Sequence, residues 1–432
     1  MGGACSNLAQ LSNPCDLAAC TQSFQTFPKS TASHSVQAML VLLPGTHFRG
    51  NPVNSVFIKL FIQPQSLTPT LYKQFETAVV MMRNIRFLTY NQIVNTLQKL
   101  RQELIIYGSV IQPIVTQQIC PFFTNVYSTS HNCHYSQLES MLGPNLYESI
   151  GKSLFSKRAI GLQINKKLRD LLQNIEFGVI VSQVGGNITL ERLLVQEQKN
   201  KTIGKIQWFQ LLFQVAWGIY VLQVAGVTHN DLHANNILVE VTPNPLMYCL
   251  CKNNPLSYFT FQTSYKAQIY DFDRSTWSSG MTGKDLYQVV LTLLHTNYYY
   301  DFKMRYVLPV AKLLYPEGKK GRLTQMLAIA KETHFLKWEG KPLPLEVFAD
   351  MRPMMDILYD LARLGQVLVT EKQPVHVTKE QLYYADSNLF GDHVVKIATV
   401  AEEVAYISVR DLEVTITQDE YDLEQLKYAA LK

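Results

Sequence analysis

The sequence contains no apolar run of the roughly 18 residues that a membrane-spanning helix needs, and no apolar signal-peptide core near its start. It also lacks internal repeats and low-complexity tracts. Its 39 Lys and Arg residues are dispersed among 34 Asp and Glu residues, so we expect no specific nucleic-acid partner. A chain of 432 residues with 47% hydrophobic residues is globular and long enough for two domains.

Cysteine is scarce, with 7 residues in the chain. Because no secretion signal is present, this predicts a reducing, cytoplasmic location. Two groups of candidate metal ligands occur, and neither has the C-x-x-C spacing of familiar zinc sites. One group comprises Cys120, His131, Cys133 and His134, and the other comprises Cys249 and Cys251. We therefore predict ordinary thiols at these positions.

The first residues, MGGACS, match a lipidation pattern. Gly2 with Ser6 fits N-myristoylation, and Cys5 lies where a palmitoyl chain attaches. Because one myristoyl chain binds a membrane only marginally, the two lipids together predict stable membrane association. The alternative is a chance match to a short motif. Residues 1–28 are otherwise polar and aperiodic, and we expect a flexible leader there.

Strand-forming segments come first in the chain and helical patterns dominate later. Residues 35–43, 55–62 and 176–183 are rich in β-branched and large apolar residues, as strands are. Residues 68–100 show one continuous helical pattern. From residue 202 onward the pattern is mainly helical, with short strands inserted. This order predicts a two-lobed α+β fold.

The segment HNDLHANN concentrates polar side chains in a loop between an apolar helix and a short strand. Asp231 offers a carboxylate that can orient a hydroxyl nucleophile, and Asn236 offers an amide oxygen of the kind that Mg²⁺ prefers. Asp271, in YDFDRS at the end of a second strand, is another such oxygen ligand. Phosphoryl transfer needs metal ions that neutralise phosphate charge and a carboxylate that positions the incoming oxygen. The loop and the strand end therefore predict phosphoryl-transfer chemistry.

These motifs resemble those of protein kinases. HNDLHANN is similar to the catalytic loop H-R-D-L-x-x-x-N, and the Asp-Phe-Asp of YDFDRS is similar to D-F-G. The resemblance implies a bilobal protein-kinase-like fold, with a small β-rich N-lobe and a larger, mostly helical C-lobe. It implies ATP with Mg²⁺ or Mn²⁺ as cofactors, Asp231 as a catalytic residue, and Asn236 and Asp271 as metal ligands. His233 replaces a lysine usual in Ser/Thr kinases, and we expect it to contact the γ-phosphate.

The resemblance also implies a lysine–glutamate pair that holds the α- and β-phosphates. Lys59 lies in the middle of the strand segment VFIKLFI, where an unpaired charge is costly. Glu76 lies on the following helix, in QFETAVV. We expect Lys59 and Glu76 to pair. The alternative is a strand-edge lysine that points to solvent.

The sequence has no G-x-G-x-x-G loop before this lysine, and in that respect it departs from the kinase pattern. Ser30, Ala32 and Ser35 lie at the spacing of the three glycines, and small side chains let backbone N–H groups approach a phosphate. We expect these three residues to bind nucleotide. Gly45 and Gly50 are the alternative, although they lie too near Lys59 for a typical hairpin.

Two further sets of roles are implied by the resemblance. VIVSQVGG is similar to the strand and hinge that bind adenine, which assigns backbone hydrogen bonds to Ser182, Gln183 and Val184. His229 and Asp285 resemble residues that support the catalytic loop from behind. The alternatives are a plain edge strand for the first set and a helix N-terminal acid for Asp285.

The segment between Asp273 and Asp285 is short, RSTWSSGMTGK, and contains no A-P-E. Asn230 replaces the arginine that commonly pairs with a phosphorylated activation loop, so we expect a site that assembles without phosphorylation. The short segment, the long insert between the two strands and IYDFDRS resemble the divergent protein kinases of large cytoplasmic DNA viruses, of the poxvirus and iridovirus type. This implies a protein that is cytoplasmic, membrane-associated or packaged in a virion.

The predicted boundaries place a kinase N-lobe with a helical insertion at residues 29–184, the C-lobe core at 185–300 and a helical C-terminal extension at 301–432. The predicted activity is transfer of the γ-phosphate of ATP to protein hydroxyls, of Ser and Thr more than of Tyr. A small-molecule phosphotransferase of the aminoglycoside or choline kinase type is one alternative, since these often read H-x-D-L-H-x-x-N. A pseudokinase scaffold is the other, and the missing glycines favour it.

Overall fold

The structure is a computed structural model, and it shows a mixed α+β chain that divides into two compact units. The first unit comprises Met1–Gln117, Thr124–Gly185 and Asp271–Arg274, and the second comprises Gln118–Phe123, Gly186–Tyr270 and Ser275–Lys432. The described residues are 7–11, 13–26, 34–81, 89–155, 162–184, 188–200, 203–252, 256–277, 283–295, 302–332, 348, 350–374 and 376–385.

A five-stranded antiparallel sheet forms the base of the first unit. Its strands are β1 (Thr21–Thr26), β2 (Val36–Leu42), β5 (Ser55–Ile62), β7 (Val126–His134) and β9 (Glu176–Gln183). Their spatial order is β1-β2-β5-β9-β7. Alternate residues of β2 are buried, which fixes the register of this half-buried strand. The central position of β5 places Lys59 opposite Gln37 of β2 and Ile180 of β9.

Two small two-stranded sheets accompany this sheet. One pairs β3 (His47–Phe48) with β4 (Asn51–Pro52), and the other pairs β6 (Val79–Met81) with β8 (Leu162–Ile164). The helices of the unit are α1 (Pro69–Ala78), α2 (Tyr90–Ile106), α3 (Gln112–Thr116), α4 (Tyr135–Leu142), α5 (Leu146–Phe155) and α6 (Lys167–Leu172). A π-helical turn, Tyr107–Ile111, joins α2 to α3. Short 3₁₀ helices span Leu8–Gln10, Pro14–Cys20 and Pro64–Ser66.

Two predictions about this unit need correction. The single helix predicted over residues 68–100 is interrupted, because the β-branched Val79 and Val80 leave α1 and form β6. A capping box between Thr89 and Gln92 then starts α2 as a separate helix. The predicted flexible leader is also largely structured, since Leu17 is fully buried and β1 completes the sheet.

Six α-helices lie among the described residues of the second unit. They are α7 (Leu190–Asn200), α8 (Lys205–Val224), α9 (Lys284–His295), α10 (Leu308–Leu313), α11 (Lys320–Glu332) and α12 (Met354–Leu364), with a π-helical turn at Lys303–Val307. The helix α8 is buried on nearly all faces, as its apolar composition predicts. Its one fully buried amide, Gln214, bonds the backbone of Tyr265 and Ala267.

Two long strands, β12 (Ile237–Lys252) and β13 (Ser257–Ile269), pair in the second unit. They are joined by β10 (Ile188–Thr189), β15 (Leu368–Thr370) and β16 (Leu382–Ala385), while β11 (Val227–Thr228) pairs separately with β14 (Thr276–Trp277). The region after residue 300, predicted as helical, therefore also contributes two strands to this sheet. Within the described residues, no helix has the length and apolar character to cross a membrane.

Replacing Gly178 by valine should destabilise the first unit. Gly178 on β9 lies opposite Phe61 on β5, and a Cβ atom there would approach the Phe61 ring at 2.5 Å. Overpacking of this kind costs about 1–3 kcal/mol, so the midpoint of thermal unfolding should fall by several degrees. The matched control is Gly321→Ala on α11, where a Cβ atom meets nothing within 4 Å. A G178V protein as stable as the control would contradict the described packing.

Candidate functional site

A buried ion pair lies in the first unit at the centre of β5. The Lys59 ammonium group donates hydrogen bonds of 2.8 and 2.6 Å to the two carboxylate oxygens of Glu103 on α2. A third charge lies close by, since Asp271 Oδ1 is 3.9 Å from Lys59 Nζ. Asp273 also acts electrostatically on both members of the pair. These four residues, Lys59, Glu103, Asp271 and Asp273, are called the Lys59 cluster below.

Glu103 reaches Lys59 because it lies on the buried face of α2. Leu100 and Leu104 flank it on the same buried side, and Glu103 itself is 1% exposed. Burial raises the pKa of Glu103 to about 7, with Lys59 acting in the opposite direction. Burial opposes the charge on Lys59, but Glu103 and Asp271 hold its pKa above the ordinary lysine value. The charged lysine is therefore maintained by its carboxylate neighbours.

The backbone of Asp271 is held in an unusual conformation. Its φ angle is 67°, in the left-handed region that a non-glycine residue seldom adopts. The Asp271 N–H donates a hydrogen bond of 3.1 Å to the Tyr107 hydroxyl oxygen, at the end of α2. The next residue, Phe272, is fully buried and packs edge-on against the Tyr107 ring at 5.2 Å. Strain of this kind persists where the surroundings fix it, and it is common at functional sites.

The charge of the Lys59 cluster suits a phosphate-bound cation. One lysine lies among three carboxylates, so the cluster carries surplus negative charge when they are ionised. The Asp271 side chain is 37% exposed, whereas that of Glu103 is 2% exposed, so Asp271 is the carboxylate that a ligand in solvent can reach. Carboxylate oxygens of this sort are ligands that Mg²⁺ prefers. Asp271 is therefore placed to hold a divalent cation beside a lysine that can bind phosphate.

The predicted pairing of Lys59 with Glu76 is wrong. Glu76 lies on α1, is only half-buried, and hydrogen-bonds the Tyr72 hydroxyl one helical turn away. The sequence pattern does not separate α1 from α2, and it therefore favours Glu76, the first acidic residue after β5. The signal that would have identified Glu103 is its place on the apolar face formed by Leu97, Leu100 and Leu104.

The second unit contains the predicted catalytic loop, residues 229–236, called the Asp231 loop below. Asp285, near the start of α9 and 3% exposed, accepts hydrogen bonds from the backbone N–H groups of His229 and Asn230 at 2.8 and 2.9 Å. His229 is fully buried, and its Nε2 is 3.0 Å from the Tyr270 carbonyl oxygen. Its Nδ1 accepts the Asp231 N–H at 3.4 Å, which requires the proton on Nε2.

Asn230 links the Asp231 loop to the segment that follows β13. Its side-chain Nδ2 donates to Thr276 Oγ1 at 2.8 Å, and its Oδ1 accepts from Lys284 Nζ at 2.6 Å. Its carbonyl oxygen accepts from Gln288 Nε2 at 2.9 Å. The φ angle of Asn230 is 65°, which asparagine tolerates better than most residues. These hydrogen bonds hold the loop, and none of them involves a phosphorylated residue.

Three side chains of the Asp231 loop are placed for chemistry. The Asp231 carboxylate is 24% exposed and lies 3.8 Å from His233 Nε2. Asn236 donates through Nδ2 to the Asp231 carbonyl oxygen at 2.9 Å. This bond leaves the Asn236 Oδ1 without a hydrogen bond to any described residue, and so available to a cation. The other predicted metal ligand, Asp271, belongs to the first unit, and the pairing of the two stays a prediction.

Two of the predicted nucleotide contacts, Ser30 and Ala32, lie outside the described residues. The predicted lipidation residues, Gly2 and Cys5, also lie outside them. Ser35 is buried and directly precedes β2. The predicted substitute for the glycine loop thus falls in the sequence between β1 and β2. The alternative glycines do not belong to that connection, because Gly45 and Gly50 lie in the turns around β3 and β4, with φ angles of 89° and 79°.

The predicted adenine contacts fall at the end of β9. Ser182 pairs with Phe57 of β5 on one side and Val126 of β7 on the other, so it is not on an edge strand. The Gln183 N–H donates to the Asn125 carbonyl oxygen at 2.8 Å. Of the three predicted residues, only Val184 lies beyond the strand. The adenine contacts of Ser182, Gln183 and Val184 stay a prediction.

The sequence contains two groups of candidate metal ligands, one with cysteines and histidines and one with Cys249 and Cys251. Among the described residues, no group of three or more His, Cys, Asp or Glu residues could hold a metal ion. Cys120, Cys133, Cys249 and Cys251 are buried free thiols. Cys20, by contrast, is disulfide-bonded, which differs from the reduced thiols expected throughout.

No protein-family model and no curated protein sequence matches this chain. A solved structure described as WaaP in complex with acyl carrier protein matches with 10% sequence identity and a TM-score of 0.30. The match covers 82% of this chain and 92% of that one. A likeness this weak carries no argument about fold or function, so the functional assignment depends on the site itself.

Replacing Glu103 by glutamine should destabilise the first unit, because it removes the carboxylate that directly hydrogen-bonds the buried Lys59 charge. Breaking a buried pair typically costs about 3–5 kcal/mol, and we expect a loss near the lower end of that range. Chemical denaturation would measure the change in the free energy of unfolding. The matched control, Glu76→Gln, should change it by about 0.5 kcal/mol or less. Equal effects of the two substitutions would contradict the pairing.

Replacing Asp285 by alanine should destabilise the second unit, since two backbone N–H groups of the Asp231 loop lose their acceptor. Each unsatisfied buried group costs about 1–3 kcal/mol, so a loss of about 2–4 kcal/mol is expected. Hydrogen exchange would show faster exchange at His229 and Asn230. Asp356→Ala, at an exposed position in the first turn of α12, is the control. Unchanged protection of the two amides in D285A would refute the bracing role.

Proposed function

We propose that this chain is an ATP- and Mg²⁺-dependent phosphotransferase that transfers the γ-phosphate to protein hydroxyls. The observation that carries the proposal is the Lys59–Glu103 ion pair with the Asp271 carboxylate 3.9 Å from the lysine. A charged lysine buried in a strand is costly unless it serves a ligand or a partner. Lys59 has Glu103 as its partner and the more exposed Asp271 carboxylate nearby. This arrangement suits a phosphate ligand that carries a bound metal ion.

In this proposal the first unit supplies the groups that bind phosphate and metal. Lys59 binds the α- and β-phosphates and Glu103 orients it. Asp271, together with Asn236 of the Asp231 loop, would hold Mg²⁺ or Mn²⁺. When bound, the cation neutralises charge on the phosphates. Backbone N–H groups between β1 and β2, near Ser35, would approach the phosphates in place of a glycine loop.

The Asp231 loop supplies the group that acts on the substrate. Asp231 orients a hydroxyl and accepts its hydrogen bond, which is the role of a carboxylate in phosphoryl transfer. His233 lies 3.8 Å from that carboxylate and would contact the transferred phosphate when protonated. Asp285 and His229 hold the loop from behind. These assignments follow from the hydrogen bonds of the loop, which fix its backbone while leaving the Asp231 side chain partly exposed.

The substrate class is the finer part of the proposal. The Asp-Phe-Asp segment after β13 supports a protein substrate, with Ser and Thr preferred over Tyr. A second candidate is a small-molecule phosphotransferase of the aminoglycoside or choline kinase type. The observation that favours it is His233, which completes H-x-D-L-H-x-x-N and lies beside Asp231. A pseudokinase scaffold is the least favoured, since the sequence retains Lys59, Asp231 and Asn236.

The remaining sequence-based predictions concern location. Lipidation at Gly2 and Cys5, membrane association, and a cytoplasmic or virion location in a large DNA virus rest on sequence motifs alone. They stay predictions, as does the absence of a nucleic-acid partner.

The activity assay is transfer of labelled γ-phosphate from ATP in the presence of Mg²⁺. Purified chain would be incubated with generic protein substrates in one arm and with small aminated alcohols in the other. Labelled Ser or Thr in the first arm supports the proposed protein substrate, and labelled alcohol in the second supports the alternative. Asp231→Asn should lower the rate by about a hundredfold or more, because it removes the group that orients the hydroxyl.

Two variants of the first unit complete this test. Lys59→Met and Asp271→Asn should each lower the rate by about a hundredfold or more, since charge stabilisation is lost. The control is Lys73→Met, an exposed lysine on α1 that contacts no part of the Lys59 cluster. Transfer that is undetectable in the wild-type protein with both substrate classes would overturn the enzymatic assignment. Transfer that survives Asp231→Asn would overturn the assigned role of the loop.

A further inference from the structure

Two thiols that take no part in the proposed site lie unusually close together in the first unit. Cys15 Sγ is 2.9 Å from Cys133 Sγ, although the residues are 118 positions apart in the chain. A covalent S–S bond measures about 2.05 Å, so the two sulfur atoms are separated by only about 0.9 Å more than a disulfide. We propose that Cys15 and Cys133 are a redox-active pair that closes to a disulfide when a hydroperoxide oxidises it.

The elements that carry the two cysteines hold them in this arrangement. Cys15 lies in the first turn of the 3₁₀ helix Pro14–Cys20, and its N–H bonds the side chain of Asn13 at 3.0 Å. Cys133 lies near the end of β7, where it pairs with Phe177 of β9. Asn13 also contacts the second thiol, since its Oδ1 is 3.9 Å from Cys133 Sγ. The approach of the sulfur atoms is therefore set by the fold.

Burial makes the pair selective toward small oxidants. Cys15 is 8% exposed and Cys133 is 0% exposed, so a small peroxide reaches Cys15 first. The hydrogen bond that Cys15 donates lowers the pKa of the Cys133 thiol. The same hydrogen bond, together with burial, raises the pKa of Cys15. Because a thiol reacts as its thiolate, these shifts favour Cys133 as the group that attacks the oxidised Cys15 in the second step.

The reaction balances with one equivalent of peroxide. The Cys15 sulfur attacks a peroxide oxygen, an S–O bond forms, the O–O bond breaks, and the thiol proton leaves with hydroxide as water. The Cys133 sulfur then attacks the Cys15 sulfur, an S–S bond forms, the S–O bond breaks, and a second water leaves. The two thiols are oxidised to one disulfide and the peroxide is reduced to water.

A disulfide between Cys15 and Cys133 would link the helix Pro14–Cys20 covalently to the five-stranded sheet. The helix Pro14–Cys20 leads directly into β1, and β7 is at the opposite edge of the same five-stranded sheet. A cross-link between such distant parts of the sequence closes a long loop, for which stabilisation is largest. Cys20, in the same 3₁₀ helix, is already disulfide-bonded, so this segment is one in which an oxidised cysteine is compatible with the fold.

The test is peptide mapping of the full chain after treatment with hydrogen peroxide. Free thiols are alkylated at the end of the reaction, the protein is digested without reductant, and cross-linked peptides are identified by mass spectrometry. We expect a peptide that joins Cys15 to Cys133, and its loss after reduction. Complete alkylation of both thiols after treatment, or their conversion to sulfinic or sulfonic acids without a cross-link, would overturn the proposal.

Thermal unfolding gives a second readout. Oxidation should raise the unfolding midpoint of the wild-type protein by about 5–10 °C. Cys15→Ser and Cys133→Ser should each lose this increment, whereas Cys249→Ser, another buried free thiol, should keep it. The three variants retain the Cys20 disulfide, so its contribution cancels in the comparison. An increment that persists in Cys15→Ser would assign it to another pair of cysteines and refute the proposal.

Discussion

The candidate site in the first unit depends on one interaction, the ion pair between Lys59 and Glu103. Both groups are nearly excluded from water, so neither charge is tolerable alone. The pair fixes the distance between β5 and α2, and the far end of α2 supplies Tyr107, which holds the backbone of Asp271. A lysine, its partner and the exposed carboxylate are thus positioned by the same helix.

In the second unit, hydrogen bonds from buried side chains keep the polar Asp231 loop rigid. Asp285 and Gln288 of α9 satisfy the backbone groups of the Asp231 loop, and the buried His229 ring joins it to the end of β13. The Asp231 carboxylate takes none of these supporting bonds. Because the support and the reactive carboxylate are separate groups, the carboxylate can change partners without loss of the loop conformation.

The sequence indicated the central features because they have short, local signals. Lys59 in an apolar strand, the HNDLHANN loop and Asp271 at a strand end were all identified from residues close together in the chain. Glu103 was missed because helical periodicity alone did not show where α1 ends and α2 begins, and that boundary depends on the pairing of β6 with β8. The alternative of a plain edge strand at Ser182 is wrong for a similar reason, since only the sheet order shows that β9 lies between β5 and β7.

The side-chain amide of Asn230 connects the Asp231 loop to two separate positions of the chain. Its two ends bond Thr276 and Lys284, so both ends of the intervening segment are attached to a single side chain. A substitution at Asn230 would therefore release Thr276 and Lys284 from the Asp231 loop at the same time.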